Sequence, residues 1–145
     1  MNFSVYSLVD TQTVISHPSV GRKVLSDAEN GGGQISIQFS GDMASHNQTA
    51  NGFVVISKVR SRAGQVTLEV PQNSPSDLFL DNLCGYLESA PASEFALSVL
   101  NVIDTASGKQ WTCTGVTPQK RPDRTYAAQA GTLNYTFLCA DIKVD

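Results

Sequence analysis

The sequence predicts a mainly β fold, an antiparallel sandwich or barrel with one flanking α-helix over about residues 75–89. Three observations carry this. Apolar and polar residues alternate cleanly from Gln34 to Ser40, one apolar run recurs at helical spacing behind Ser74-Pro75, and strand-like segments both precede and follow that helix. With 145 residues and 41% hydrophobic content, the chain reads as one domain, 1–145, with enough apolar side chains for a core.

The elements follow in order. Ser4 to Asp10 reads as a short strand, Thr11 to Ser16 continues it or turns back, and His17-Pro18 breaks it. Arg22 to Gly33 reads as a loop ending in Asn30-Gly31-Gly32-Gly33. In the next strand Ile35, Ile37 and Phe39 face one way and Gln34, Ser36, Gln38 and Ser40 the other. Phe39 is therefore expected in the core. Gly41 to Gly52 is polar and reads as a long hairpin arm or loop. Phe53 to Val59 and Gln65 to Val70 read as strands joined by a turn near Ala63-Gly64, with Phe53–Val59 expected to pair with the Gln34–Ser40 strand.

Ser74-Pro75-Ser76-Asp77 marks a helix start. Ser74 can cap free backbone N–H groups, Pro75 suits the first helical position, and Asp77 completes a capping-box-like pair. Phe79, Leu80, Leu83, Cys84 and Leu87 then recur at helical spacing until Pro91. Phe95 to Asp104 and Gln110 to Val116 read as a hairpin through Ala106-Ser107-Gly108-Lys109. Pro118 to Ala130 reads as a polar loop. In the last strand, Thr132 to Val144, Leu133, Tyr135, Phe137 and Cys139 share one face and Ile142 and Val144 the other, so a bulge or change of partner is expected near Ala140.

Chemistry-bearing patterns are sparse. Charged residues make up only 16%, against roughly 25% in average proteins, and Ser, Thr, Gln and Asn take their place. Such a surface suits a protein that covers itself with its own copies. The net charge of −3 does not fit a nucleic-acid binder. No run approaches a membrane span, and Met1 to Asp10 lacks the basic start of a signal peptide. Cys84, Cys113 and Cys139 are odd in number and widely spaced, so they read as buried reduced thiols rather than a disulfide or zinc set. His17 and His46 have no partner at metal-ligand spacing. There is no nucleophile elbow, P-loop or paired-carboxylate motif, so no enzyme, cofactor or metal is expected. Gly31-Gly32-Gly33 precedes a strand, not a helix, and reads as a flexible loop. Trp111 alternates with Cys113 and reads as core rather than as a sugar platform. Lys58, Arg60 and Arg62 alternate near one strand end, and Lys120, Arg121 and Arg124 share one loop. No aromatics interleave with them. A solvated face, or a subunit contact with acids such as Asp77, Asp81 or Glu88, fits better than a nucleic-acid patch.

Several segments together resemble a family, the tail tube proteins of contractile-tailed phages. Val66-Thr67-Leu68-Glu69-Val70 followed by Pro71-Gln72-Asn73-Ser74-Pro75-Ser76-Asp77-Leu78 is similar to that family's strand and Ser-Pro-capped helix. The run from Ile103-Asp104 through Gly108 resembles its aspartate-containing hairpin, and Lys120-Arg121-Pro122-Asp123-Arg124-Thr125-Tyr126 its Lys-x-Pro-Asp-x-x-Tyr-like loop. The opening Tyr6-Ser7-Leu8-Val9-Asp10 and the aromatic last strand Asn134-Tyr135-Thr136-Phe137 also match, although the family often has Glu-Trp at Asn134-Tyr135. The resemblance spans nearly the whole chain.

The resemblance implies a non-enzymatic structural subunit of the virion tail, assembled in the host cytoplasm. Six copies would form a ring, and rings would stack into a hollow tube inside a sheath, a conduit for DNA during ejection. Sheath, baseplate and tail terminator proteins are the implied partners, with no membrane. The lumen-facing candidates are Gln34, Ser36, Gln38, Ser40 and Asp42. Contacts between subunits or rings are expected from Arg22, Lys23, Asp27, Glu29, His46, Asn47, Lys58, Arg60, Arg62, Lys120, Arg121 and Arg124. Alternatives are a related ring or tube, such as a tailocin, a type VI secretion tube or a tail terminator, and a carbohydrate-binding β-sandwich.

Overall fold

The computed structural model describes Phe3, residues 11–26 and residues 34–145. The expected strand Ser4–Asp10, the glycine run to Gly33, and Asp27 and Glu29 lie outside the described residues. Among the described residues, ten strands and two helices follow in order: β1 (Thr11–His17), β2 (Gly21–Ser26), β3 (Gln34–Phe39), β4 (Ala44–Gln48), β5 (Val54–Lys58), β6 (Gly64–Pro71), α1 (Pro75–Ser89), α2 (Ala92–Phe95), β7 (Ser98–Asp104), β8 (Lys109–Pro118), β9 (Thr132–Cys139) and β10 (Asp141–Val144). The main sheet runs β2-β1-β7-β8-β9-β6-β3, with β10 beside β8, while β4 and β5 form a separate two-stranded sheet. Every pairing is antiparallel. The fold is mainly β with a flanking helix, as the sequence predicts.

The core forms where strand alternation and the helical stripe meet. In β6 Val66, Leu68 and Val70 are buried; in β9 Leu133, Tyr135, Phe137 and Cys139 are. Leu80, Leu83, Cys84 and Leu87 of α1 join the same apolar cluster. Each fully buried side chain of this size stabilises the fold by about 1.5–3 kcal/mol relative to exposure. The hydroxyl of Ser74 accepts the Asp77 N–H at 3.2 Å, so α1 starts at the cap read from the sequence.

The predicted break near Ala140 is present. β9 lies against β6 and the end of β8, whereas β10 lies along the middle of β8. Gly115 sits opposite the break with φ +63°, and a Cβ there would meet the Ala140 Cβ at 2.6 Å, so this crossing requires glycine. Ile142 is buried, but Val144, still paired with Trp111 of β8, is exposed.

Three expectations are corrected. Residues 22–26 belong to strand β2 instead of a loop, because they ladder onto β1 from Gln12↔Ser26 to Ser16↔Arg22. The segment Phe53–Val59 does not pair with β3. Its strand, β5, pairs with β4 through Ala44↔Lys58 to Gln48↔Val54, and β3 pairs with β6 instead. Phe39 is not core: it is 53% exposed. Its partner across the sheet is Gly64, which has no side chain to pack beside it, and Ile142 Cδ1 covers that position. Phe39 keeps the alternation of Ile35 and Ile37 but lies past the limit of the core. The sequence reading also lacks the short helix α2 after Pro91.

Candidate assembly surfaces

The polar side of β3 is part of a three-strand face. Register aligns Gln34 with Glu69 and Asn134, Ser36 with Thr67 and Thr136, and Gln38 with Gln65 and Leu138. The intervening rows, Ile35–Leu68–Tyr135 and Ile37–Val66–Phe137, point into the core. Alternation in three neighbouring strands thus stacks polar groups on one side of the sheet. Gln65 Nε2 donates to Gln38 Oε1 at 2.7 Å, and the hydroxyls of Thr67 and Thr136 are 3.4 Å apart. A shallow concavity of about 280 Å³ is lined by Gln34, Ser36, Gln38, Thr67, Glu69 and Asn134. The face is neutral apart from Glu69. Among the described residues β3 has no strand on its outer side, and neither does β2 at the opposite end. Of the five lumen candidates, the structure brings Gln34, Ser36 and Gln38 together. Ser40 and Asp42 are exposed beyond the end of β3, at the root of the β4–β5 hairpin.

The β4–β5 hairpin is an arm. Every residue of both strands is exposed. β4 is polar and carries His46 and Asn47, but β5 is apolar: Val54, Val55 and Ile56 are all exposed, with Phe53 and Met43 beside them. An isolated two-stranded sheet is marginal in water, and among the described residues no core side chain comes from this one. Its tip is nevertheless well made. Thr49 takes the Phe53 carbonyl through its N–H at 2.8 Å and its hydroxyl at 3.2 Å, and Gly52 N–H donates to the Thr49 carbonyl at 3.0 Å. Lys58 ends β5. Arg60 and Arg62 lie beyond it in irregular backbone, and Arg62 pairs with Asp141 at 2.8 Å. Arg22 and Lys23 lie on the β2 edge strand.

The loop after β8 is strapped to α1 by its arginines. Arg121 Nε reaches Glu88 at 2.6 Å and its Nη1 reaches Asp81 at 2.7 Å. Hydrogen bonding to Arg121 holds the Glu88 carboxyl below the usual range. Arg124 reaches deeper. Its Nη2 meets Asp77 Oδ1 at 2.8 Å, and Tyr135 donates its hydroxyl to the same oxygen at 2.7 Å. The Asn73 N–H donates to Asp77 Oδ2 at 2.9 Å. Burial alone would raise the Asp77 carboxyl. Arg124, Tyr135 and Asn73 outweigh that and keep it below its ordinary value. Burial, with the Asp77 contact, pushes the Tyr135 hydroxyl up and keeps it a donor. The acids named from the sequence as partners for this basic loop are thus its partners within the chain. Lys120 stays exposed.

Two arrangements had no local signal. His17 is buried: its Nε2 lies 2.9 Å from the Glu94 carbonyl and its Nδ1 accepts the Ser19 N–H at 3.1 Å. Tyr86 donates to the Glu94 carboxylate at 2.6 Å and packs edge-on against the His17 ring. This cluster joins the β1–β2 turn to α1 and α2. The second is a groove of about 160 Å³ between α1, α2 and the end of β8, lined in part by Leu87, Phe95 and Pro118. Cys84 borders it; burial pushes its thiol up to about 11. All three cysteines are free and buried, and Trp111 packs half-buried against the core. Among the described residues no group of His, Cys, Asp and Glu could hold a metal ion, and no helix is long and apolar enough to cross a membrane.

The family described as Bacteriophage PhiTE tail tube protein matches residues 3–145. No curated protein matches the chain. Among solved structures, the sheath–tube complex of the extracellular contractile injection system PVC in its extended state aligns with TM-score 0.58 at 9% identity, covering 92% of this chain and 88% of that one. The PVC sheath/tube terminator aligns with TM-score 0.59 at 10% identity over 100% and 97%. The six-fold symmetrised baseplate of the anti-feeding prophage aligns with TM-score 0.58 at 11% identity over 99% and 97%. At such identities the likeness is one of fold.

Proposed function

The chain belongs to the Bacteriophage PhiTE tail tube protein family, and from that premise we propose that its copies form hexameric rings stacked into the hollow inner tube of a contractile tail, the conduit for DNA ejection. It is a tail-tube-type structural subunit of the virion tail, a structural rather than an enzymatic role. The observation that carries the tube reading is the polar three-strand face ending at the open edge β3. Open edges invite pairing with another chain, and among the described residues a second open edge, β2, lies at the other end of the sheet. Pairing β3 of one copy with β2 of the next would remove both edges and extend the polar face around a ring. Rows of Gln, Ser, Thr and Asn with Glu69 offer phosphates no cation, so DNA would pass without being held.

Arg22 and Lys23 on β2 would then lie at the seam within a ring. Asp27 and Glu29 follow in the chain and are assigned to the contact between rings, as are His46, Asn47, Lys58 and Arg60 on the arm. Ser40 and Asp42, at the arm's root, would rim the lumen. The solved relatives come from a sheath–tube complex, a terminator and a baseplate, which supports sheath, baseplate and terminator proteins as partners. Assembly would take place in the host cytoplasm.

Electron microscopy of the purified chain tests this: stacked six-fold rings with an open channel are expected. A protein that stays monomeric at every concentration by light scattering would sink the reading. The terminator shares the fold at TM-score 0.59, so single rings that never stack would favour a terminator instead.

A further inference from the structure

We propose that Cys113 and Cys139 are a latent disulfide: two thiols in the folded chain that a hydroperoxide closes into a staple between β8 and β9. The proposal goes beyond the tube reading and does not depend on it. Cys113 lies in the middle of β8, opposite Leu100 of β7 on one side and Ile142 of β10 on the other. Cys139 ends β9, opposite Gly64 of β6. The strands meet at the crossing near Ala140, whose N–H donates to the Thr114 carbonyl at 3.1 Å. Thr114 follows Cys113 and Ala140 follows Cys139, so this bond keeps the two cysteines close. Gly115 lets the backbones approach there, since a Cβ on it would lie 2.6 Å from that of Ala140. Both side chains are buried in one core cluster, and their thiols hydrogen-bond to each other. Sulfurs already in contact have only to close to about 2 Å.

The contact also sets the roles. Cys113 donates its S–H to the Cys139 sulfur, and the Cys139 S–H points to the Phe137 carbonyl at 3.9 Å. The bond from Cys113 lowers the Cys139 thiol against the effect of burial, whereas the same bond and then burial raise Cys113. Cys139 is therefore the nucleophile. Its thiolate attacks one oxygen of hydrogen peroxide, the O–O bond breaks, and hydroxide leaves and takes up the thiol proton as water. The Cys113 sulfur then attacks the sulfenic sulfur so formed, the S–O bond breaks, and a second water leaves with the Cys113 proton. Two thiols lose two electrons, and the peroxide is reduced to two waters. The staple would tie β9, which shares the polar face with β6 and β3, to β8, which carries β7 and β10. Thiols persist where glutathione keeps them reduced and cross-link outside that environment. A tail assembled in the host cytoplasm and then released would pass from one to the other.

The test uses the full reduced chain and hydrogen peroxide. The treated chain should become lighter by two hydrogen atoms and lose two of its three free thiols. Peptide mapping should join Cys113 to Cys139 and leave Cys84 free. The melting temperature should rise by about 5–10 °C, and dithiothreitol should reverse the rise. Cys84→Ala should keep both effects, and Cys139→Ala should lose both while circular dichroism stays unchanged. The mapping is read on the wild-type chain, so it decides the matter even if a variant fails to fold. Thiols left intact, oxygen added to Cys139 without the bond, a disulfide that engages Cys84, or a bond that forms only in urea would each overturn the proposal. A Cys113–Cys139 bond that lowers the melting temperature would overturn the staple.

Discussion

Arg124 grips the buried carboxylate of Asp77 with both terminal nitrogens, Nη2 to Oδ1 at 2.8 Å and Nη1 to Oδ2 at 3.1 Å, across 47 residues of chain. The pair locks the polar loop after β8 onto the first turn of α1. Asp77 has no exposed surface, whereas the Arg124 side chain is 24% exposed. Arg124→Ala would leave a buried charge without its counter-ion. It should cost about 3 kcal/mol, the lower end for breaking a buried pair because Arg124 is partly solvated. Arg124→Lys should recover only part of this, since an ammonium cannot form the two-pronged contact. Urea denaturation measures both, and a loss under about 1 kcal/mol for the alanine variant would show that water already screens the pair.

The same carboxylate sets an acid limit. Asp77 titrates below its ordinary value of 3.8 in the folded chain. A lowered folded value means that the unfolded chain takes up the proton first as pH falls. The stabilisation is therefore complete above the unfolded value and is lost as pH drops from there through the folded one. Asp77→Asn should be less stable at pH 7, and the gap to wild type should shrink below about pH 4. Thermal melts from pH 7 to pH 2 follow this. A gap that stays constant with pH would mean that Asp77 acts through shape alone.

Ser74→Ala should cost about 1 kcal/mol, the usual loss for an N-cap side chain. The Ser74 hydroxyl satisfies the Asp77 N–H at 3.2 Å. Because that same residue holds Arg124, fraying of the first turn should also loosen the loop. Amide exchange at Ser76 and Asp77 should quicken in the variant more than exchange in β6.

Phe39→Asp should leave the fold intact, with a stability change within about 0.5 kcal/mol, as for other exposed positions. Phe137→Ala should cost about 3–5 kcal/mol, because Phe137 is 1% exposed within the core cluster. Chemical denaturation of the two variants side by side separates a residue that shares the core face from one that fills the core. Unfolding of Phe39→Asp would place Phe39 inside.

Gly64→Ala should destabilise by about 1–3 kcal/mol, the cost of overpacking. A methyl there would run into the Gln38 carbonyl oxygen and come within 2.7 Å of Ile142 Cδ1. The strain falls on the β3–β6 ladder, so β3 should loosen first. Loss of protection at β3 amides with β9 amides unchanged is the expected exchange pattern.

Local spacing in the chain was enough to show which way the side chains of these elements point, because alternation and helical periodicity are set by backbone geometry over a few residues. Gln34, Ser36 and Gln38 fall on the polar face, Leu133, Tyr135 and Phe137 on the core face, and α1 starts at Ser74, all as local spacing requires. How far the core reaches and which distant groups meet depend instead on packing between elements far apart in the chain. Phe39 follows the same alternation as Ile37 yet stands in solvent, because burial depends on what lies above a face, and above this one Ile142 takes the place. The segments 22–26 and 54–58 carry enough β character to be strands, but their partners are chosen by the ladder available beside them. Asp77, Arg124 and Tyr135 are separated by up to 58 residues and meet because burying a carboxylate demands a counter-ion and a donor at that one point. No spacing in the chain encodes that requirement.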